Sequence, residues 1–272
     1  MSATKSHLTV GNATLSIWAE GLGPVVVLVH GTGCDARTWD SVTPALSKDF
    51  TVVTYDRRGY GESKHSPILD HRIHADDLIA LIESLNKGKV HVVGWSSGGV
   101  VALDVATRRP DLIDRLIVME APARGMSNLT PGMIGMMLNV TRLGKKGKPE
   151  EAVTAFYEWA AGTKDGSSGF ARARDEERAA LVAYHAVVLT ELQPSKVGSL
   201  GGHIQYKGLR DSAVPITWFL GGDSIPWYSK LASKAARVAP NITLRVIPNA
   251  SHIMHREQPE AFVAAVNESL VR

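Results

Sequence analysis

Residues 90–103 read VHVVGWSSGGVVAL. The run before Gly94 is apolar and β-branched, as suits a strand covered on both faces. The run after Gly98 carries apolar residues at helical spacing and closes at Pro110. Between them stands Gly94-Trp95-Ser96-Ser97-Gly98, a G-x-S-x-G pattern. Alone, that pattern is a common chance match; between an apolar strand and an amphipathic helix it is specific. A sharp strand-to-helix turn forces the central residue into strained backbone, and the flanking glycines leave room for it. Ser96 is then expected to project its hydroxyl from the C-terminal edge of a sheet. The Ser97 N–H, at the start of the helix, points the same way and can stabilise an oxyanion.

Working outward, the same rhythm recurs. TLSIWAE (14–20), PVVVLVH (24–30), FTVVTYD (50–56) and DRLIVME (114–120) read as strands. ARTWDSVTPALSK (36–48), with a restart at Pro44, and HADDLIALIESLN (74–86), with Gly88 as its stop, read as helices. This alternation predicts an α/β fold with a mostly parallel, doubly wound sheet of about eight strands. It resumes with PITWFLGG (215–222), WYSKLASKAARVA (227–239), ITLRVIP (242–248) and EAFVAAVNESLV (260–271). Between the two blocks only helical patterns occur, including TPGMIGMMLNVTRLG and DEERAALVAYHAVVLTEL. The expected organisation is a core of residues 1–122 and 213–272, interrupted by a helical insertion at 123–212.

The composition excludes several function classes. The chain has 272 residues, 44% hydrophobic and 21% charged, with a net charge of +3, which suits one large domain or a core with an insertion. The short GKKGK at 144–148 reads as a solvated loop, so nucleic acid is not an expected partner. Cys34 is the only cysteine, so no internal disulfide can form. The N-terminus has no signal-type apolar region, and no apolar run approaches the ~20 residues of a membrane span. A cytoplasmic protein acting on a small molecule, without a membrane partner, is the expectation; the oligomeric state is left open.

A serine hydroxyl becomes a useful nucleophile only when a base takes its proton. His252, in IPNASH just after the last predicted strand, lies at a strand's C-terminal edge and is the candidate base. His255 is expected at the surface, His185 in packing or a polar contact, and His30 in a structural hydrogen bond. The H-x-x-H of 252 and 255 lacks companion ligands, so no metal is expected, and nothing implies a cofactor. HGTG at 30–33 supplies a second oxyanion donor: the Thr32 N–H, with that of Gly33 as fallback. Glu120 closes the strand at 114–120, where a charge is costly unless paired, and His252 is its natural partner. Trp95, Gly31, Met133 and Met136 are the candidate substrate contacts. The methionine-rich stretch 126–140 suits a surface that adapts to apolar ligands, though ordinary packing explains it as well.

HGTG, DRRGYGES (56–63), GWSSGG and a late Ser-His before a helix resemble the α/β-hydrolase superfamily over nearly the whole chain apart from the insertion. The resemblance implies a hydrolase with a Ser-acid-His triad and a helical cap at 123–212. In that superfamily the usual acid is an aspartate in a G-x-x-D turn after the seventh core strand. Here Gly221-Gly222-Asp223-Ser224 puts Asp223 one residue early. Ser96-Ser97-Gly98 with Glu120-Ala121-Pro122 is similar to the branch that includes the zearalenone lactone hydrolases, whose acid is a glutamate after strand six. Glu120 and Asp223 therefore both stand as candidate acids, Glu120 first. The implied activity is cleavage of a carboxylic ester or lactone of a mainly apolar small molecule through an acyl-enzyme. Carbon–carbon bond hydrolysis, perhydrolase chemistry, and a ligand-binding receptor with a slow triad are the alternatives.

Overall fold

The computed structural model describes residues 3–66, 68, 70–123, 128–192 and 204–271. Its strands are β1 (Thr4–Val10), β2 (Ala13–Glu20), β3 (Val25–Val29), β4 (Thr51–Tyr55), β5 (Val90–Trp95), β6 (Ile113–Met119), β7 (Ile216–Gly221) and β8 (Ile242–Ile247). They form one sheet in the order β1-β2-β4-β3-β5-β6-β7-β8. β2 runs antiparallel to both β1 and β4, and every other neighbouring pair is parallel. The predicted α/β, doubly wound sheet of about eight strands is therefore the observed one. β1 is the strand that the sequence pattern does not announce: the first four residues of TKSHLTV are polar and exposed, and only Leu8 and Val10 lean on the core.

Alternate residues of the central strands face opposite layers, as the period of two requires. Val27, Val29, Val92, Val118 and Trp218 join one apolar cluster. Val26, Leu28, Val93, Ile117, Met119 and Phe219 join the other. Both faces are covered, which is why these strands read as continuous apolar runs. Burying one such side chain contributes roughly 1.5–3 kcal/mol.

The helices before β6 are α1 (Thr43–Leu46), α2 (His71–Ser84) and α3 (Ser97–Arg108). The helix expected over 36–48 is broken into a 3₁₀ turn at Ala36–Trp39 and the short α1, with Pro44 in the first turn of α1 where its missing N–H costs nothing. Between β6 and β7 come α4 (Pro131–Lys145), α5 (Pro149–Ala160), α6 (Gly169–Arg172), α7 (Asp175–Val182), α8 (His185–Glu191) and α9 (Tyr206–Ser212). α4, α6, α7 and α8 pack around α5, whereas α9 packs on α3. α9 thus sits on the flank of the sheet although it falls inside 123–212. The chain closes with α10 (Pro226–Val238), α11 (Met254–Glu257) and α12 (Pro259–Val271). Among the described residues, no helix is long and apolar enough to cross a membrane, and no cluster of side chains is arranged to hold a metal ion.

Candidate active site

Ser96 stands between β5 and α3 with φ 54° and ψ −121°, a conformation that a non-glycine residue adopts only when its surroundings impose it. The surroundings are tight. A Cβ on Gly94 would lie 2.6 Å from the Gly98 carbonyl oxygen, and one on Gly98 would lie 2.3 Å from that of Val29. Only glycine permits this crossing of helix and sheet. The Ser96 N–H is bonded to Met119 O at 2.9 Å, tying the elbow to the end of β6.

The next residue of that chain end is Glu120, which is fully buried and also has a positive φ, 46°. Its Oε1 accepts the Gly221 N–H at 2.8 Å, and its Oε2 lies 2.8 Å from His252 Nδ1. His252 is 4% exposed and follows β8. A carboxylate can only accept, so Nδ1 carries the proton and Nε2 is left to act as a base. The imidazole is held on two further sides. Trp95 Nε1 donates to the His252 carbonyl at 2.8 Å, and the Tyr228 ring stacks on it at 4.6 Å and 8°. Tyr228 in turn donates its hydroxyl to Ala160 O, at the end of α5, at 2.9 Å.

Ser96 and His252 line one narrow recess with Thr32 and Trp95 on the sheet side. Its other wall is Phe156, Tyr157, Ala160, Phe170 and Leu181, from α5, α6 and α7, with Arg256 as the one charged side chain. The cavity is small, about 40 Å³.

Of the two candidate acids, only Glu120 is brought to His252. Asp223 is exposed, and its backbone is bonded to Ala250 and Lys164. Counted from Gly221, the fourth position of the turn is Ser224, which is buried, and Asp223, one residue early, is left outside. Thr32 reaches the recess as expected, while the fallback donor does not: the Gly33 N–H is committed to Tyr60 Oη at 3.3 Å. Gly31 packs against the elbow, where its Cβ would lie 3.2 Å from Ser96 Cβ, and does not line the recess. Met133 and Met136 do not line it either. They sit in the buried cluster, because the apolar face of α4 turns toward α5. Among the tryptophans only Trp95 reaches the recess; Trp218 is core and Trp227 packs against Trp159.

His255, expected at the surface, is fully buried against Trp39, Trp95 and Phe262, with Nε2 3.2 Å from Thr38 Oγ1. Burial holds its pKa well below the usual value. His30 makes the expected structural bonds, to Gly31 O at 2.8 Å and from the Arg57 N–H at 2.9 Å, and burial pushes it down to about 3. The Cys34 thiol is buried and pushed up to about 12, which keeps it protonated and unreactive.

Two neighbours of the loop at 30–33 are not legible as site residues in the sequence. Glu191, at the end of α8 and 4% exposed, has Oε2 2.6 Å from Thr32 Oγ1. Arg57, fully buried, donates to Gly31 O at 3.1 Å and to Ser97 Oγ at 3.3 Å, and pairs with Glu191 at 3.5 Å. No local pattern singles out Glu191, since Thr190 separates it from the apolar run and Leu192 follows it.

A strained serine, a buried carboxylate and a histidine gathered at one edge of this sheet define a hydrolase by fold and site. The chain belongs to the alpha/beta hydrolase family, whose model matches residues 26–265. It is 36% identical to the hydrolase YraK of Bacillus subtilis over 123 residues, 44% of this chain and 45% of that one. The chain thus spans less than half the length of that relative. It is 25% identical over 285 residues to the sn-1-specific diacylglycerol lipase ABHD11 of Mus musculus, covering 97% of this chain and 84% of that one. Among solved structures it is similar to Est816, an N-acyl homoserine lactone degrading enzyme (TM-score 0.78, 20% identity, 97% of this chain and 99% of that one). It is also similar to carboxylesterase CesB of Bacillus subtilis (TM-score 0.74, 18% identity, 99% and 92%). At these identities the structural likeness speaks for the fold alone.

Proposed function

We propose that this chain is a serine hydrolase of carboxylic esters or lactones of a mainly apolar small molecule. The observation that carries the reading is the buried 2.8 Å contact between His252 Nδ1 and Glu120 Oε2 beside a strained serine in the same recess. Ser96 Oγ attacks the carbonyl carbon while His252 Nε2 takes its proton. Glu120 fixes the tautomer and stabilises the imidazolium. The N–H groups of Thr32 and Ser97 hold the oxyanion. The intermediate collapses to an acyl-enzyme, and the imidazolium protonates the leaving alkoxide. Water, activated by the same imidazole, then releases the acid. In a lactone the leaving alcohol stays tethered to the acyl group, so a single product leaves. No cofactor takes part.

In this reading residues 123–212 act as a cap, with α9 belonging to the core. The aromatic wall from α5 and α6 favours an apolar acyl group. A cavity of about 40 Å³ has room for only a few waters, so a larger substrate requires α5, α6 and α7 to move outward. The lactone degradation and ester hydrolysis named for the structural neighbours are in keeping with this substrate class.

Labelling of the folded protein by a fluorophosphonate tests the reading. Wild type should be labelled at Ser96 and should hydrolyse p-nitrophenyl butyrate, and Ser96→Ala should do neither. An unlabelled wild type points instead to a ligand-binding receptor. Turnover of a panel of esters against lactones then separates the two substrate classes.

A further inference from the structure

Thr32 Oγ1 lies 2.8 Å from Ser97 Oγ and 2.6 Å from Glu191 Oε2. Arg57 closes the circuit, with Nη2 3.3 Å from Ser97 Oγ and Nη1 3.5 Å from Glu191 Oε1. Thr32 has one hydroxyl proton, and the ionised carboxylate at the shorter distance is the stronger claim on it. Ser97 Oγ, which accepts from Arg57, is the second partner of the same Thr32 hydroxyl. The circuit reads Arg57 to Ser97 to Thr32 to Glu191 and back to Arg57. Its members are the two residues whose N–H groups the proposed mechanism assigns to the oxyanion, one buried cation, and one buried carboxylate. That carboxylate comes from α8, on the segment between β6 and β7, whereas the other three come from the sheet's own loops and α3.

We propose that Glu191 is a positioning residue for the oxyanion-binding N–H groups, acting through the Thr32 hydroxyl and Arg57. The proposal rests on the reading of Ser96 as nucleophile. Thr32 stands between Gly31 and Gly33 in the loop after β3, outside the strand ladder, so its N–H direction is soft unless its side chain is anchored. Two partners on the same hydroxyl, one of them charged, remove that freedom. The Gly31 carbonyl just before it is fixed by the same arginine at 3.1 Å. An oxyanion hole gains its advantage from donors that are already aimed when charge develops. A hole anchored by α8 is complete only while α8 is seated, so closure of the helical segment and readiness for the chemical step are the same event.

The test uses p-nitrophenyl butyrate with wild type, Ser96→Ala, Thr32→Val, Thr32→Ser, Glu191→Gln and the Thr32→Val/Glu191→Gln pair. An anchor acting on the transition state alone changes kcat and leaves KM nearly untouched. Thr32→Val and Glu191→Gln should each lower kcat about 10- to 100-fold, since displacing a donor costs less than deleting it. The double variant should be no slower than the slower single one, because both cut the same link. Thr32→Ser, which restores the hydroxyl, should recover most of the rate. Glu191→Gln leaves Arg57 buried without its counter-charge and can fail to fold. The isosteric Thr32→Val and its serine rescue decide the matter on their own. A Thr32→Val enzyme within twofold of wild-type kcat overturns the proposal, as do effects that multiply in the double variant. If Ser96→Ala is as active as wild type, the reading of Ser96 as nucleophile itself fails. If Ser96→Ala is dead while Thr32→Val is silent, only the role of Glu191 falls.

Discussion

Replacing Glu120 by glutamine exchanges one carboxylate oxygen for an NH₂ and keeps the shape. Both oxygens are occupied in the native site. Oε1 takes the Gly221 N–H and Oε2 faces His252 Nδ1, each at 2.8 Å. The amide can be placed in two ways. With its NH₂ toward Gly221, two donors confront each other, and the peptide N–H cannot change its nature; a buried unsatisfied donor costs roughly 1–3 kcal/mol. With its NH₂ toward His252, the imidazole can answer by moving its proton from Nδ1 to Nε2. The second placement wins, and it leaves Nε2 protonated and unable to accept from Ser96. The wrong tautomer, with the imidazolium no longer facing an anion, should lower kcat about 10,000-fold, or about 5.5 kcal/mol of barrier. The assay is kcat for p-nitrophenyl butyrate, with a melting curve showing that the variant is folded. Asp223→Asn, at an exposed position away from the histidine, should stay within about twofold, as surface changes usually do. A folded Glu120→Gln enzyme keeping more than a tenth of wild-type kcat, or a larger loss from Asp223→Asn, would refute the reasoning.

Tyr228→Leu removes the ring stacked on His252 at 4.6 Å and should lower kcat roughly tenfold at little change in KM, while Tyr228→Phe keeps the stack and should lose less; equal losses would show that the hydroxyl bond to Ala160, not the stack, matters. Burial holds His30 at about 3 and His255 well below its ordinary value, whereas both titrate near 6.5 in the unfolded chain. The stability they contribute is therefore complete above about pH 6.5 and is lost as pH falls toward 3, with a slope approaching about 2.7 kcal/mol per unit from the two rings. Denaturation followed from pH 7 to 4.5 should show that slope, and His255→Asn should lower the proton uptake on unfolding by about one; an unchanged uptake would count against a buried neutral His255. Iodoacetamide at pH 8 should leave Cys34 unmodified in the native enzyme, because the thiol is buried and held protonated up to about 12; rapid alkylation of active protein would contradict that burial.

The core strands were legible because each is buried on both faces and carries its apolar run openly. β1 escaped because an edge strand with only Leu8 and Val10 against the core carries too short an apolar pattern to stand out. The run 175–192 reads as one helix but is two, α7 and α8, broken after Val182. Ser96, Glu120 and His252 could be found because each stands at the end of a strand, where chemistry-bearing residues gather in a doubly wound sheet. His255 was misread because the hydrophilic look of HREQPE conceals one position turned inward on Trp39 and Phe262. The stacking of Tyr228 and the reach of Glu191 to Thr32 depend on how distant helices settle on the sheet. No local pattern encodes that.

Glu120 is followed by Ala121, Pro122 and Ala123, and the helices between β6 and β7 open with α4 at Pro131. In the proposed triad the acid thus stands at the threshold of the segment read as the cap. Exchange of these helices between homologues, a common route to new specificity, would here be a splice made three residues from the catalytic carboxylate. Chimeras should be joined beyond Ala123 and screened first for imidazole orientation, and only then for substrate range.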